Sequence, residues 1–199
     1  MYALVEDGSI SKLITNPKAM VIGDVRYPAK IFQLWSQSEK ESIGIYEIVV
    51  DKTNYKDPEY YNNTDSSYSF ADGQVTESWG TATAKELEDR NATDKDGVEL
   101  DPIVVIDGLK TDKKRIIKQQ ASGLLEKTDW HNHKALDDET YTIPDNIKTY
   151  RANVRAKSNE MESQIDACTN VDELKALYEY TRQEDGTQTR PLAEFPKEI

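Results

Sequence analysis

The sequence predicts an α+β protein in which a small antiparallel β-rich domain precedes a helical module. Two observations indicate this order. Short apolar and β-branched runs separated by Asp-Gly turns fill the first half of the 199-residue chain. From about residue 111 onward, apolar residues recur at spacings of three and four, which is the helical period. We place the β-rich N-terminal domain at 1–82, a connector at 83–110, the helical module at 111–182 and an extended tail at 183–199.

Turn and strand signals alternate through the β-rich domain. The dipeptides Asp7-Gly8 and Asp72-Gly73 separate strand-like runs and are typical of tight hairpin turns. Residues 45–50, Ile-Tyr-Glu-Ile-Val-Val, are the clearest strand of the chain. Ser36 is a suitable N-cap for one or two helical turns. We therefore expect an antiparallel sheet with at most one short helix.

Three helices are predicted in the helical module. The first has Thr111 as its N-cap and an apolar face formed by Ile116, Ile117, Gln120, Leu124 and Leu125. Pro144 suits the first turn of the second helix, whose apolar line consists of Ile147, Tyr150, Val154, Met161 and Ile165. The third begins near Thr169-Asn170 and has its apolar positions at Val171, Leu174, Leu177 and Tyr178. The polar and acidic residues 131–143 predict a loop.

Charge and cysteine content exclude several classes of function. The formal net charge is −12, and such a chain repels nucleic acid and anionic membranes unless its basic residues cluster, which they do not. Cys168 is the only cysteine, so an internal disulfide is impossible. The N-terminal residues lack a basic segment followed by an apolar run, so we expect no signal peptide and a cytoplasmic protein.

Few residues are candidates for chemistry. His131 and His133 lie near several carboxylates and could bind zinc or manganese, but the same composition is typical of a solvated loop. The acids at 137–139 could act as an acid/base pair only in an apolar pocket, and otherwise cap a helix or face water. No motif surrounds Cys168. We assign no catalytic residue, no metal ligand and no cofactor, and expect a protein that is not an enzyme.

An aromatic stretch is a candidate partner-binding surface. Tyrosine amid serine and asparagine is typical of adaptable binding surfaces, and here the aromatic residues are Tyr55, Tyr60, Tyr61, Tyr68, Phe70 and Trp79. The same pattern fits tyrosines that alternately pack a sheet face and line its edge. Stacking on carbohydrate is a third possibility. The sequence does not separate the three.

Two segments of the helical module carry a family resemblance. Residues 124–130 read Leu-Leu-Glu-Lys-Thr-Asp-Trp, and residues 147–155 read Ile-x-x-Tyr-Arg-x-x-Val-Arg after a proline. This pattern resembles the C-terminal module of bacteriophage tail-fibre assembly proteins and related phage tail assembly chaperones. It covers about residues 111–158, and its signature residues are Thr128, Asp129, Trp130, Tyr150, Arg151 and Arg155. The chain departs from the pattern because the second helix lacks a Leu-Arg-Asp ending and a further helix follows.

The resemblance implies a chaperone that binds a tail fibre or receptor-binding protein, expected to be trimeric, and assists its folding and trimerisation. It would act in the host cytoplasm and could remain on the virion tail. The alternative is a structural tail component, such as an adaptor or fibre-tip subunit, without a chaperone role. We expect the signature residues to connect the two helices, with Trp130 buried between them and Asp129 paired with Arg151 or Arg155.

Overall fold

Strands dominate the first part of the chain and long helices the second, so the predicted α+β class is confirmed. The computed structural model describes all 199 residues and divides into two units, 1–83 and 84–199. None of its helices combines the length and the apolar character needed to cross a membrane.

The first unit is built around a five-stranded sheet. Its helices are α1 (Ile31–Leu34) and α2 (Gln37–Glu41), and its strands are β1 (Tyr2–Glu6), β2 (Ser9–Ile14), β3 (Met20–Ile22), β4 (Val25–Tyr27), β5 (Ile45–Asp51), β6 (Tyr61–Asn62), β7 (Ser66–Ala71) and β8 (Gln74–Trp79), with β9 (Thr83–Ala84) at the boundary. The sheet order is β2-β1-β5-β8-β7, and β3 pairs with β4 in a separate hairpin.

The expected antiparallel sheet with at most one short helix needs correction on two points. β5 and β8 run parallel, and two short helices are present. β7 begins beside the end of β5, because Asp51 and Ser67 both lie opposite Ser78 of β8. β7 runs antiparallel to β5 and itself returns the chain to the starting end of β5, so β8, which follows the turn, runs parallel to β5. Ser36 caps α2 as predicted, since its hydroxyl accepts a hydrogen bond from the Glu39 N–H.

Both predicted hairpins are confirmed. Glu6 lies opposite Ser9, and Ala71 lies opposite Gln74, so each hairpin closes with a two-residue turn. All four turn residues have positive φ angles, which is the geometry of a type I′ turn.

The core of the first unit consists of apolar side chains on both faces of the sheet. One cluster contains Leu4, Ile14, Ile31, Phe32 and Ile45, with α1 packed against β1 and β5. The other contains Ala3, Val5, Ile48 and Val75. Alternation along β1 explains the division, because neighbouring residues of a strand point to opposite faces.

The second unit is organised by two long helices. Its helices are α3 (Leu109–Glu126), α4 (Asp129–Asp137), α5 (Asp145–Ala167) and α6 (Val171–Ala176), and its short strands are β10 (Arg90–Asn91), β11 (Val105–Ile106), β12 (Thr181–Arg182) and β13 (Gln188–Thr189). The five predicted apolar positions of α5 are all buried, and Asn170 caps α6 as expected.

Two helix predictions were wrong in detail. Residues 131–137, predicted as loop, belong to α4, whose first turn contains Asp129, an acid in a favourable position. The buried side of α3 includes Ile117 but not Ile116, which is 45% exposed. Lys113 takes a buried place on that side, with its ammonium 4.5 Å from the centre of the Tyr178 ring. Because this buried position holds a lysine, it does not count as apolar in the sequence pattern, and the predicted buried face of α3 was centred on the wrong side of the helix.

The segments predicted as connector and extended tail are both attached to the helices. Within 83–110, Lys110 donates hydrogen bonds to the carboxylate of Glu88 and to the carbonyl of Asp166 at the end of α5. In the tail, Leu192 is 1% exposed, and its N–H donates to the carbonyl of Leu177 at 3.0 Å. Neither segment is a free linker, because buried side chains and backbone hydrogen bonds hold each in place.

Candidate functional site

Arg151 on α5 connects the end of α3 to the start of α4. Its Nη1 donates to the carbonyl oxygen of Leu125 at 2.8 Å and to the hydroxyl of Thr128 at 2.7 Å, and its Nη2 donates to Asp129 Oδ1 at 2.7 Å. Arg151 is 7% exposed. The last carbonyl groups of a helix lack partners within the helix, so the guanidinium also caps α3. We call Leu125, Thr128, Asp129 and Arg151 the Arg151 cluster.

The expected pairing of Asp129 is confirmed for Arg151 but not for Arg155. Arg155 is exposed, and its Nη1 lies 3.5 Å from the Arg151 carbonyl oxygen. Tyr150 is 5% exposed and packs with Ala121 and Val154 between α3 and α5. Tyr150 is therefore a core residue, and Arg151 carries the polar connection between the helices.

The prediction that Trp130 is buried was wrong. Its side chain is 54% exposed and stacks on the ring of His131, with 3.7 Å between ring centres. His131 takes the inward position instead, 8% exposed, with Nδ1 in contact with the Tyr141 hydroxyl. His131 follows the buried Thr128 by three residues, so both lie on the inner side of the chain, and this spacing is the signal that sequence reasoning missed.

The other residues weighed for chemistry have structural surroundings. No group of three or more His, Cys, Asp or Glu side chains has a metal-binding arrangement in the structure. The Thr140 hydroxyl and N–H donate to Asp138 and hold the pKa of its carboxyl below the ordinary value, whereas a general acid needs a raised pKa. Burial raises the pKa of the Cys168 thiol, which disfavours the nucleophilic thiolate.

The tyrosine-rich stretch does not form one surface. Tyr60 and Tyr61 are 3% and 5% exposed, so their assignment to a partner-binding surface is corrected to core residues. Phe70 packs on the Tyr46 ring, and the Tyr68 hydroxyl donates to Glu77 Oε1 at 2.8 Å. Tyr55, at 40%, is the large exposed ring of the group and lies edge-on to Trp79. Alternate residues of β7 point to opposite faces of the sheet, and the side chains of Tyr60 and Tyr61 are buried, so the aromatic residues do not share one exposed surface.

A set of exposed aliphatic residues was not singled out by the sequence analysis. β10 and β11 pair within a longer ribbon that turns at Asp94–Val98, and we call residues 90–106 the β10–β11 ribbon. Six aliphatic side chains of the ribbon are at least 37% exposed: Val98, Leu100, Ile103, Val104, Val105 and Ile106. Four consecutive aliphatic residues, 103–106, in a segment without a facing apolar run are the signal that could have revealed it.

Comparisons with known proteins identify no relative of this chain, so the functional interpretation rests on its geometry. No protein-family model, no curated protein and no solved structure matches it. The two features of interest are the Arg151 cluster, which fixes the helical architecture, and the β10–β11 ribbon, which exposes apolar surface.

Proposed function

We propose that this protein is a bacteriophage tail-fibre assembly chaperone, which binds a fibre or receptor-binding protein and assists its folding and trimerisation without catalysing a reaction. The Arg151 cluster carries the proposal. Arg151 and Asp129 belong to the two separate segments that resemble phage assembly chaperones; they lie 22 residues apart in sequence and are joined by a direct hydrogen bond. Thr128 and Asp129 of the first segment and Arg151 of the second are thus joined directly, as expected for a module with a defined architecture.

The exposed surfaces of the chain support a role in covering another protein. Fibre chains are rich in β structure, and their unpaired strand edges favour aggregation until the chains assemble. A chaperone for such chains needs an apolar surface or a strand edge of its own, and the β10–β11 ribbon exposes both. The net charge of −12 would help to keep the complex of chaperone and fibre in solution.

The surroundings of the polar groups support a role other than catalysis. His131 contacts Trp130 and Tyr141, while Asp138 accepts hydrogen bonds that favour its charged form. Cys168 is buried, and its thiol donates to the Gln164 carbonyl at 3.4 Å. Each of these groups is engaged in a contact that stabilises the local structure.

Co-expression tests the proposal. A candidate phage fibre protein encoded in the same genome as this chain is produced in bacteria with this chain or with an unrelated acidic protein of similar size, and soluble trimer is measured by size-exclusion chromatography with light scattering. A chaperone raises the yield of soluble trimer, because it covers fibre surfaces before assembly. An unchanged yield would contradict the proposal. If the chain were then found in purified particles, the structural tail component would be the correct interpretation.

A further inference from the structure

The β10–β11 ribbon has an unpaired backbone edge. The Ala92 N–H donates to the Val104 carbonyl at 2.7 Å, and Arg90 lies opposite Ile106. In an antiparallel ladder this arrangement directs the N–H and C=O of Val105 away from β10. The sheet contains β10 and β11 alone, so no further strand of the chain lies along that edge.

Both faces of the ribbon are open as well as its edge. Val104, Val105 and Ile106 are 48%, 55% and 41% exposed, although neighbouring residues of a strand point to opposite faces. Ile45 and Val75, in the five-stranded sheet of the first unit, are 0% exposed. An isolated two-stranded ribbon is only marginally stable in water, whereas a third strand would pair its edge and cover part of its aliphatic surface.

The charges around the ribbon indicate what kind of strand would fit. Its exposed acids outnumber its bases, since Arg90 and Lys95 are accompanied by Asp94, Asp96, Glu99, Asp101 and the adjoining Asp107. Lys95 is paired with Asp96 at 2.8 Å, and Asp107 is paired with Arg115. The acids without an ion pair are Asp94, Glu99 and Asp101, against Arg90 alone. A second copy of the chain would bring the same acids against each other, which is unfavourable across a strand pair. A partner strand with lysine or arginine at its ends would instead be attracted.

We propose that the outer edge of β11 accepts an extended strand from a partner protein, and that this strand is an alternating aliphatic segment flanked by lysine or arginine. The Val105 N–H and C=O would pair with its backbone, and the aliphatic side chains of the ribbon would contact its apolar positions. The inference rests on the proposed function for the identity of the partner, which would be the fibre protein, but the edge can be tested without it.

A synthetic peptide serves as the probe for the edge. A labelled peptide of sequence Lys-Lys-Thr-Val-Thr-Val-Thr-Val-Lys-Lys is titrated with the full chain, and binding is followed by fluorescence anisotropy. Val105→Lys should weaken binding about tenfold or more, because it places a charge in the apolar contact and adds no new partner. Val105→Pro should weaken it too, since proline lacks the N–H that would pair with the incoming strand.

Matched controls isolate the ribbon. Val21→Lys makes the same change at a 61% exposed valine of the β3–β4 hairpin and should leave binding unchanged, while circular dichroism confirms that each variant is folded. A peptide with glutamate in place of each lysine should bind far more weakly. The inference is overturned if the lysine peptide does not bind, if Val105→Lys binds it as tightly as the wild type, or if both peptides bind equally.

The co-expression assay separates this inference from the proposed function. If the wild type and Val105→Lys raise the yield of fibre trimer equally and bind the peptide equally, the edge assignment is wrong and the chaperone function stands. If the peptide result is as expected and fibre yield does not respond to the wild-type chain, the edge assignment stands and the chaperone function is wrong.

Discussion

At the residue scale, Arg151 is the polar signature residue whose loss should cost most. Arg151→Ala removes hydrogen bonds to the Leu125 carbonyl, the Thr128 hydroxyl and Asp129 together. Hydrogen bonds to a charged group each contribute about 1.5–3 kcal/mol, and a shared donor makes them non-additive. We expect the free energy of unfolding, measured in urea, to fall by about 2–4 kcal/mol.

Arg155 supplies a matched control for Arg151. It lies one helical turn further along α5 and is exposed, with a single long contact to the Arg151 carbonyl. Arg155→Ala should change the free energy of unfolding by less than about 0.5 kcal/mol. Equal losses for the two variants would mean that the Arg151 cluster does not hold the helices together.

Trp130 gives a second prediction at this scale. Because the indole is 54% exposed and has the His131 ring on one face, Trp130→Ala should lower the free energy of unfolding by about 1 kcal/mol or less. Met161→Ala is the comparison, since Met161 is 0% exposed and such truncations cost about 2–5 kcal/mol. A loss at Trp130 as large as that at Met161 would show that the indole is buried in solution.

These two residues also show where sequence reasoning succeeds and fails. The Asp129–Arg151 pair was predictable because an arginine and a carboxylate in two neighbouring helices form a charge-assisted contact wherever geometry allows. The exposure of Trp130 was not predictable from its residue type, since large aromatic side chains are usually buried. Its position is decided by the helical turn from Thr128 to His131, which became visible only once residues 129–137 were known to be helical.

At the element scale, Gly44 determines how β5 joins β1. Its φ is +82°, and an added Cβ would lie 2.5 Å from the Val5 carbonyl oxygen. The Gly44 carbonyl also accepts the Val5 N–H at 2.8 Å, so the two backbones cannot easily move apart. Gly44→Ala should therefore cost about 3 kcal/mol or more, combining an unfavourable φ with a backbone clash. Thermal and urea unfolding measure the loss.

Gly73 provides the comparison for Gly44. Its φ is +73°, but an added Cβ would meet nothing within 4 Å. Gly73→Ala should therefore cost only the conformational term, about 1–2 kcal/mol. If both variants lost the same stability, the close approach of Gly44 to Val5 would contribute nothing.

The start of α3 shows why helix boundaries are hard to predict. Thr111 was expected to cap the helix, but α3 begins at Leu109 after Gly108. The first two N–H groups of α3, those of Leu109 and Lys110, donate to the carbonyl oxygens of Glu86 and Leu87. The Asp89 carboxylate supports this helix start by accepting hydrogen bonds from the Gly108 N–H at 2.8 Å and from the Thr111 hydroxyl at 2.9 Å. The prediction of Thr111 as N-cap was wrong, because partners supplied from 19 residues away leave no local pattern in the sequence.

The contact between the Asp89 carboxylate and the start of α3 should make the stability of the fold depend on pH. The Gly108 N–H and then the Thr111 hydroxyl hold the pKa of the Asp89 carboxyl below its ordinary value of 3.8. A carboxyl with a lowered pKa in the folded state stabilises the fold above its unfolded pKa, and this contribution is lost as the pH falls through the folded value. The stability difference between the wild type and Asp89→Asn should be constant near neutral pH and shrink below about pH 4.

Unfolding measured across a series of pH values tests the Asp89 prediction. Thr111→Val is the control, because it removes one of the two donors and keeps the carboxylate and the bond from Gly108. Its pH dependence should lie between those of the wild type and Asp89→Asn. If the stability difference between the wild type and Asp89→Asn grew as the pH fell, the pKa of Asp89 would be raised in the folded state and the prediction would be wrong.

At the scale of the whole molecule, the order of strands and helices followed from periodicity, whereas the attachment of irregular segments did not. Residues 83–110 and 183–199 are polar and rich in turn-forming residues, so they were predicted as connector and tail. What holds them is a small number of long-range contacts, such as Lys110 with Asp166 and Leu192 with Leu177. Contacts of this kind depend on tertiary structure and leave no periodic signal in the sequence.

Each unit closes a core of its own, and this leads to a prediction about cooperativity. Ile45 is 0% exposed within the cluster formed by β1, β2, β5 and α1, and Met161 is 0% exposed on α5 of the second unit. Ile45→Ala should lower hydrogen-exchange protection in β1, β5 and β8 while leaving α3 and α5 protected. Met161→Ala should lower protection in α3 and α5 while leaving β1, β5 and β8 protected, because each cavity weakens the core that contains it.

Hydrogen exchange followed by mass spectrometry of peptides from the two units makes the comparison within one experiment. Both substitutions are expected to lower the free energy of unfolding by about 2–5 kcal/mol. A difference between their hydrogen-exchange patterns therefore cannot be attributed to a difference in the total loss of stability. Loss of protection throughout the chain with either variant would mean that the units 1–83 and 84–199 unfold as one cooperative body. Protection lost separately would mean that the strand-rich unit can open while the Arg151 cluster and the β10–β11 ribbon stay folded, leaving the proposed docking edge intact.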